Sequence, residues 1–536
     1  MADYQLFIDG EYVDAQSGET FTTYDPATGQ AIGEIAKAGR EDSVRAIEAA
    51  RKAFDEGPWP KMSGAERGAK LNQIADAIEA KADKFSEMEA RDGGGTIKKA
   101  MFADIPGAAG AFRWFAKLAI EEAEEVEVPG TPFPPSQNWV RYEPHGVCTG
   151  IIPWNFPFIM AAWKLGPALA AGNTSVLKPA SFTSITALML GEVFQEVDLP
   201  PGVANIVAGP GGTAGEELAV NPLVDKTAFT GSTEVGRRIM QLASGTVKPV
   251  TLELGGKSAN IVLDDADLDL AAACVLWGTF FHNGQVCESG TRALVHKSIY
   301  DEFLSLLVDR AGKIVIGNQM DFNTDLGPLV GRSQVETVER YVALGREEVG
   351  EPICGGQRPE GLAEGLDPAA FYTPTIFAGV PNSAKIAQEE IFGPVLSVIP
   401  FESDDEAIAI ANDSIYGLAG GVQSSNMERA RSVANRMRTG TVWINDYHLI
   451  SPERPFGGYK QSGIGRELGL NGLRLPAGQA HPRQPGRQPG QLHPPVRAER
   501  QHLTQLRLDA RGPGSIRPGP SRVRRRLPIS PRAPRR

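Results

Sequence analysis

Apolar residues along positions 43–54 fall at Val44, Ile47 and Phe54, one face of a 3.6-residue repeat. Positions 65–92 repeat the pattern with Leu71, Ile74, Ile78, Phe85 and Met88, so two amphipathic helices are expected near the N-terminus. Beyond Pro144 the rhythm changes to short apolar runs alternating with helical patterns. Strands are expected over 174–178, 204–207, 227–229 and 250–254, and helices over 184–196 and 233–242. The 204–207 strand is closed by Gly209-Pro210-Gly211-Gly212. A second alternating block covers about 268–443, with its clearest helix over 298–313. This βαβα order predicts an α/β protein with two doubly wound parallel sheets, and Gly255-Gly256 is a candidate hinge between them. Residues 123–144 break the pattern: an acidic, proline-containing stretch precedes alternating Trp139, Val140, Arg141 and Tyr142. A protruding hairpin used in oligomer contacts is expected there.

At 536 residues the chain exceeds one ordinary core, and its 41% apolar and 22% charged content is that of a globular protein. The net charge of −11 hides a strong asymmetry. From Leu475 onward there are 14 Arg against Glu499 and Asp509, a net +12 that leaves the body at −23. So acidic a body argues against nucleic acid as a partner. The tail, rich in Arg, Pro, Gln and Gly with no aromatic residue, cannot bury enough apolar surface to order itself. It begins abruptly after a folded-looking segment. A shifted reading frame is the favoured explanation; a basic arm that docks on nucleic acid and an acidic-surface tether are the alternatives. Met1-Ala2-Asp3-Tyr4 has neither the basic nor the apolar region of a secretory signal. The most apolar stretch, 147–172, contains Asn155, Lys164 and three prolines, too polar and broken for a membrane span. The four cysteines, Cys148, Cys274, Cys287 and Cys354, form no CxxC pair and have no zinc spacing, so no metal is expected. A cytoplasmic protein with free thiols is the reading these features favour.

Three segments carry candidate chemistry. Gly284-Gln285-Val286-Cys287-Glu288-Ser289-Gly290 sets a cysteine between glycines after an apolar helix, where a nucleophile is able to sit in a turn. Leu252-Glu253-Leu254-Gly255-Gly256-Lys257 puts a carboxylate at a strand end. Pro153-Trp154-Asn155-Phe156-Pro157 stiffens a loop around an amide suited either to a turn or to oxyanion donation. Together with Trp163-Lys164-Leu165-Gly166-Pro167, Leu177-Lys178-Pro179-Ala180, Phe229-Thr230-Gly231-Ser232, Glu389-Glu390-Ile391-Phe392-Gly393-Pro394 and Pro455-Phe456-Gly457-Gly458, these segments closely resemble the aldehyde dehydrogenase superfamily over about residues 5–474.

The resemblance implies oxidation of an aldehyde to a carboxylic acid with NAD(P)⁺. It implies a thioester on Cys287, an oxyanion hole from Asn155 and the Cys287 N–H, and Glu253 as general base for hydrolysis. Lys164 and Glu467 resemble a proton-relay pair; a structural ion pair is the competing reading. Ile152, Trp154, Phe229, Gly231, Ser232 and Gly236 are implied to follow the dinucleotide, its pyrophosphate at the start of the helix after Ser232. Lys178 is implied to reach the adenosine ribose, and Glu390 and Phe392 the nicotinamide ribose. Phe156, Met160, Trp163 and Phe456 resemble a tunnel for an apolar or aromatic aldehyde. Glu288 in that tunnel is suited to a cationic substrate group, unless its side chain turns away. By the same resemblance, 1–122 with 145–255 is the dinucleotide-binding domain, 123–144 the oligomerisation hairpin of a homodimer or homotetramer, 256–474 the catalytic domain and 475–536 the disordered tail. Two other functions compete: a Cys–Glu esterase or thioesterase without hydride transfer, and a non-catalytic product of the altered C-terminus.

One departure from the resemblance bears on the cofactor. Many NAD-preferring members carry a glutamate three residues after the lysine at 178, where it repels a 2′-phosphate. Ser181 stands there in this chain. NADP⁺ is therefore expected to be tolerated, with NAD⁺ slightly favoured. The check is kcat/KM with each dinucleotide; a preference for NAD⁺ above about a thousandfold, roughly 4 kcal/mol, contradicts the expectation.

Overall fold

A computed structural model of the protein describes residues 2–122, 125–128 and 138–474, which all lie in one compact unit. Two sheets organise it. The first has eight strands, in the spatial order Gly463–Ile464, Val250–Glu253, Lys226–Thr230, Val147–Ile151, Thr174–Lys178, Ala204–Ile206, Leu6–Ile8 and Glu11–Val13. Its five central strands, from Val250–Glu253 to Ala204–Ile206, run parallel, whereas the strands at both edges are antiparallel. The second sheet has six strands, all parallel to their neighbours, in the order Thr375–Ala378, Val395–Phe401, Arg292–His296, Ala259–Val262, Ala419–Gln423 and Thr441–Ile444. Strands such as Val147–Ile151 and Thr174–Lys178 are buried along their whole length, as expected when helices cover both faces of a parallel sheet.

Strand order reverses in the first sheet between Val147–Ile151 and Lys226–Thr230. The segments leaving the carboxyl ends of these strands, at Ile152–Phe156 and Gly231–Ser232, therefore diverge and open a crevice. Segments entering the amino ends of the second sheet close the other side: Gly256 precedes Ala259–Val262, Cys287 precedes Arg292–His296, and Glu390 precedes Val395–Phe401.

The strand at 204–207 ends one residue earlier than expected, at Ile206, and the strand at 227–229 extends to Lys226–Thr230. The 65–92 pattern is two helices, Gly64–Ala80 and Ala82–Gly93, broken at Lys81. The first begins with a capping box in which the Ser63 hydroxyl accepts from the Glu66 N–H and the Glu66 carboxylate accepts from the Ser63 N–H. In the 298–313 region the α-helix is Tyr300–Ala311, entered through a 3₁₀ turn at Lys297–Ile299. Within 123–144, Glu125–Val128 pairs antiparallel with Asn138–Arg141. The tail readings for 475–536 lie outside the described residues.

One feature of the topology runs against a simple division at residue 256. Gly463–Ile464 pairs with Val250–Glu253 in the first sheet, and Phe456, Leu468 and Leu473 pack in the core around that sheet. The chain thus crosses back after Thr441–Ile444, a return that local apolar periodicity does not encode.

Close helix packing leaves no room at several glycines. Gly64 lies so near the Ala119 carbonyl that a Cβ there would sit 1.9 Å from the oxygen. Gly64→Ala is expected to push apart the helices Gly64–Ala80 and Ile105–Glu121 and to cost about 1–3 kcal/mol. A lower midpoint for the first transition in denaturant unfolding checks this; an unchanged midpoint contradicts it.

Candidate active site

Cys287 is presented by a bent segment. The helix Leu268–Phe280 ends in a short 3₁₀ turn, where His282, Asn283 and Gly284 all have left-handed backbone with φ of 50°, 58° and 69°. Two consecutive non-glycine residues in that region store strain that surrounding contacts must hold. Asn283 donates to the carbonyls of Gly327 and Pro328 at 3.0 and 3.2 Å, and Gln285 Oε1 accepts from the Val330 N–H at 3.0 Å. A side chain at Gly284 would strike the Gly393 carbonyl. Cys287 follows in a turn with its thiol half-buried.

The thiol opens into a cavity of about 640 Å³ that also takes in Asn155, Glu253, Glu288, Glu390 and Glu467. Asn155 is buried, and its amide donates to the Gln285 carbonyl at 2.8 Å. That bond uses one amide hydrogen and orients the other, free to serve an oxyanion. Glu253 is 3% exposed at the end of its strand, and neither carboxylate oxygen has a side-chain partner. Burial, reinforced by the charge of Glu467, pushes its carboxyl well above the ordinary range. Burial also pushes the Cys287 thiol up, followed by the effect of the adjacent Glu288.

Lys164 and Glu467 form a buried ion pair, and Lys164 Nζ also donates to Thr230 Oγ1 at 2.6 Å. Glu467 reaches the site because its backbone exchanges hydrogen bonds with that of Phe456.

The predicted cofactor residues gather on the first-sheet side. Ile152 N–H donates to the Lys178 carbonyl, tying the loop after one strand to its neighbour. Ser232 caps the helix Thr233–Ala243 by accepting from the Val235 N–H. At Gly236 a Cβ would lie 2.5 Å from Leu254, and at Gly231 it would lie 2.6 Å from the Phe229 ring. Both glycines let the helix start approach the sheet closely. Trp154 meets Phe392 edge to face at 5.2 Å, and Phe392 itself has φ of 58°. Glu390 accepts from the Gly256 N–H at 3.0 Å, and burial raises its carboxyl to about 7. Lys178 is buried and donates only to the Pro179 carbonyl at 2.8 Å, with burial lowering it to about 8. Ser181 Oγ donates to the Gly209 carbonyl at 3.0 Å. Trp154, Gly231, Ser232, Glu390 and Phe392 line the cavity that holds Cys287. A capped helix start, a close glycine approach and continuity with the thiol fit a dinucleotide.

On the opposite side Phe156, Met160, Trp163 and Phe456 line an aromatic wall, with Trp163 and Phe456 packed edge to face at 5.5 Å. Glu288 also faces this cavity rather than turning away, and accepts from Cys287 Sγ at 3.1 Å. Sequence reasoning missed its second partner, His448, whose Nδ1 lies 3.2 Å from the other carboxylate oxygen. It also missed Trp277 and Phe281, which line the cavity and pack as tilted rings 4.4 Å apart. A lone histidine after a short strand carries no local signal of this contact, and Trp277 and Phe281 read as helix core. Among the described residues, no group of three or more His, Cys, Asp or Glu is arranged to hold a metal, and no helix is long and apolar enough to cross a membrane.

Residues 12–475 match the model of the aldehyde dehydrogenase family, and the chain belongs to that family. It is 46% identical over 468 residues to a betaine aldehyde dehydrogenase of Bacillus subtilis, covering 87% of this chain and 94% of the relative. It is 45% identical to the mitochondrial aldehyde dehydrogenase family 2 member B4 of Arabidopsis thaliana, covering 88% and 86%. Among solved structures, a betaine aldehyde dehydrogenase of Staphylococcus aureus in complex with NAD⁺ aligns with a TM-score of 0.88 and 39% identity, over 92% of this chain and 99% of the other. The NAD⁺ complex of an aldehyde dehydrogenase from Bacillus cereus gives a TM-score of 0.86 and 41% identity, over 90% and 96%. The protein is thus an NAD(P)-dependent aldehyde dehydrogenase, an oxidoreductase of α/β fold.

Both readings of Lys164 and Glu467 require the two charges to stay together. Lys164→Met leaves Glu467 buried without its partner and is expected to cost about 3–5 kcal/mol. The double variant Lys164→Met/Glu467→Gln should recover much of that loss in denaturant unfolding. No recovery would contradict a pair held chiefly by mutual neutralisation.

Proposed function

We propose that Cys287 carries the acyl group, Asn155 and the Cys287 N–H stabilise the oxyanion, and Glu253 activates the hydrolytic water. The observation that carries this reading is one continuous cavity in which a half-buried thiol, a buried amide and an unpartnered carboxylate meet. A thiolate sulfur adds readily to a carbonyl carbon and leaves readily from a thioester. Addition puts negative charge on the carbonyl oxygen, where the free Asn155 N–H and the backbone donor are fixed in advance. When bound, the nicotinamide dinucleotide supplies the hydride acceptor. Once the hydride has left, the acyl group remains on Sγ as a thioester. Glu253, with no side chain hydrogen-bonded to either oxygen, is then suited to take a proton from attacking water.

The dinucleotide is assigned to Ile152, Trp154, Lys178, Ser181, Phe229, Gly231, Ser232, Gly236, Glu390 and Phe392. The substrate tunnel is assigned to Phe156, Met160, Trp163, Glu288 and Phe456, and an apolar or aromatic aldehyde is the favoured substrate. Glu288 already faces the thiol and His448, which leaves less of its charge for a cationic substrate. The betaine aldehyde dehydrogenase relatives favour the cationic alternative, with the aromatic wall as its cation–π surface. The family relationship and the paired strands at 125–141 support a homodimer or homotetramer.

An aldehyde panel scored by NAD(P)H formation tests the reading. Cys287→Ala should abolish NAD(P)H formation, and Asn155→Ala should lower kcat/KM by about 10²–10³. Because burial and Glu467 raise the Glu253 carboxyl, its base form is scarce at low pH and grows as pH rises through the raised value. Where hydrolysis limits turnover, the steady-state rate should therefore climb with pH along a limb above the usual carboxylate range, and Glu253→Gln should remove that limb. Full activity in Cys287→Ala overturns the assignment.

A further inference from the structure

The chemistry above leaves a buried carboxylate beside the nucleophile without a task in bond making. Glu288 is 5% exposed, and both oxygens are engaged: one accepts from Cys287 Sγ at 3.1 Å, and His448 Nδ1 lies 3.2 Å from the other. The Tyr447 hydroxyl fixes the same residue by donating to the Glu288 carbonyl at 3.0 Å. His448 is held in turn. Its side chain is 4% exposed, its backbone is left-handed with φ of 64°, and its ring packs against Phe281 at 5.4 Å and Tyr447 at 4.9 Å. Glu253 offers a contrast, since neither of its oxygens is hydrogen-bonded to the thiol.

We infer that Glu288, oriented by His448, is the base that receives the Cys287 thiol proton during attack, leaving Glu253 to serve hydrolysis alone. This rests on the proposed role of Cys287 as nucleophile. In the step, a sulfur lone pair forms the S–C bond and the carbonyl π pair moves to oxygen. The S–H bond breaks, its electrons stay on sulfur, and the proton passes to the Glu288 oxygen already 3.1 Å away. One anion disappears at the carboxylate as another appears at the oxyanion, so the net charge of the cavity does not change. Ionising the thiol beforehand would instead set a thiolate against the Glu288 carboxylate, with Glu253 and Glu390 also facing it.

The electrostatics agree with the geometry. Burial and Glu288 keep the thiol protonated at rest. Burial works against the Glu288 carboxylate, yet His448 and the thiol hold it below its ordinary range. A protonated donor therefore touches an ionised acceptor. His448 is a positioning residue, because it acts only through Glu288.

The test is rapid-mixing cleavage of p-nitrophenyl acetate by the full chain, which needs neither aldehyde nor dinucleotide. The wild type should release a burst of p-nitrophenolate as Cys287 is acylated, followed by slower turnover. The near-isosteric Glu288→Gln should slow the burst on the order of 10²-fold. Glu253→Gln should keep the burst and lose turnover. His448→Phe should move the acidic limb of the burst rate to higher pH. The groups facing Glu288 are Cys287, His448 and Tyr447, and losing the histidine removes the larger of the two influences, His448 and the thiol, that favour its ionised form. Three outcomes overturn the inference: a Glu288→Gln burst within about threefold of wild type, an equal loss in Glu253→Gln, or an unmoved limb in His448→Phe. The first of these, with a normal wild-type burst, leaves the thioester reading standing. A wild type without any burst overturns both.

Discussion

A carboxylate taken out of water needs a partner or a proton, and four carboxylates surround one thiol in this protein. The way each meets that demand organises the site. Glu467 is neutralised by Lys164. Glu288 lies between the thiol and His448. Glu390 is met by a backbone N–H from Gly256 and raised to about 7 by burial. Glu253 has no side-chain partner for either oxygen, and burial, reinforced by the charge of Glu467, raises its carboxyl. Four residues of one chemical type thereby meet four different surroundings.

The fold makes this possible by bringing segments from both sheets to one cavity. Carboxyl ends of the first sheet supply Asn155 and Glu253, and the approaches to the amino ends of the second supply Cys287 and Glu390. Segments that enter and leave strands are free to bend, whereas the strands themselves are committed to their ladders. The left-handed run His282–Asn283–Gly284 shows how far that freedom is used. Its strain is offset by hydrogen bonds to Gly327, Pro328 and Val330, contacts contributed by a loop more than forty residues away.

The chain that leaves the second sheet after Thr441–Ile444 returns to the first as Gly463–Ile464. It brings Phe456 against Trp163 at the cavity wall and Glu467 against Lys164. A division of the chain into one cofactor segment and one catalytic segment misses this crossing. The tunnel wall on that side belongs to the first core, although its residues come late in the chain.

Much of this was legible in the amino-acid order. Alternating apolar runs determined the parallel sheets, because a strand buried on both faces has to read as a continuous apolar segment. The segments around Cys287, Glu253 and Asn155 are weak signals singly and were identifiable through the family resemblance that they and the neighbouring motifs carry together. What the order of residues could not contain was distance. The pairing of Glu288 with His448 spans 160 positions, and that of Lys164 with Glu467 spans 303. Neither leaves a periodic trace. Proton affinities in the cavity depend on burial and on which charges face one another, and both exist only once the two sheets have closed around the thiol.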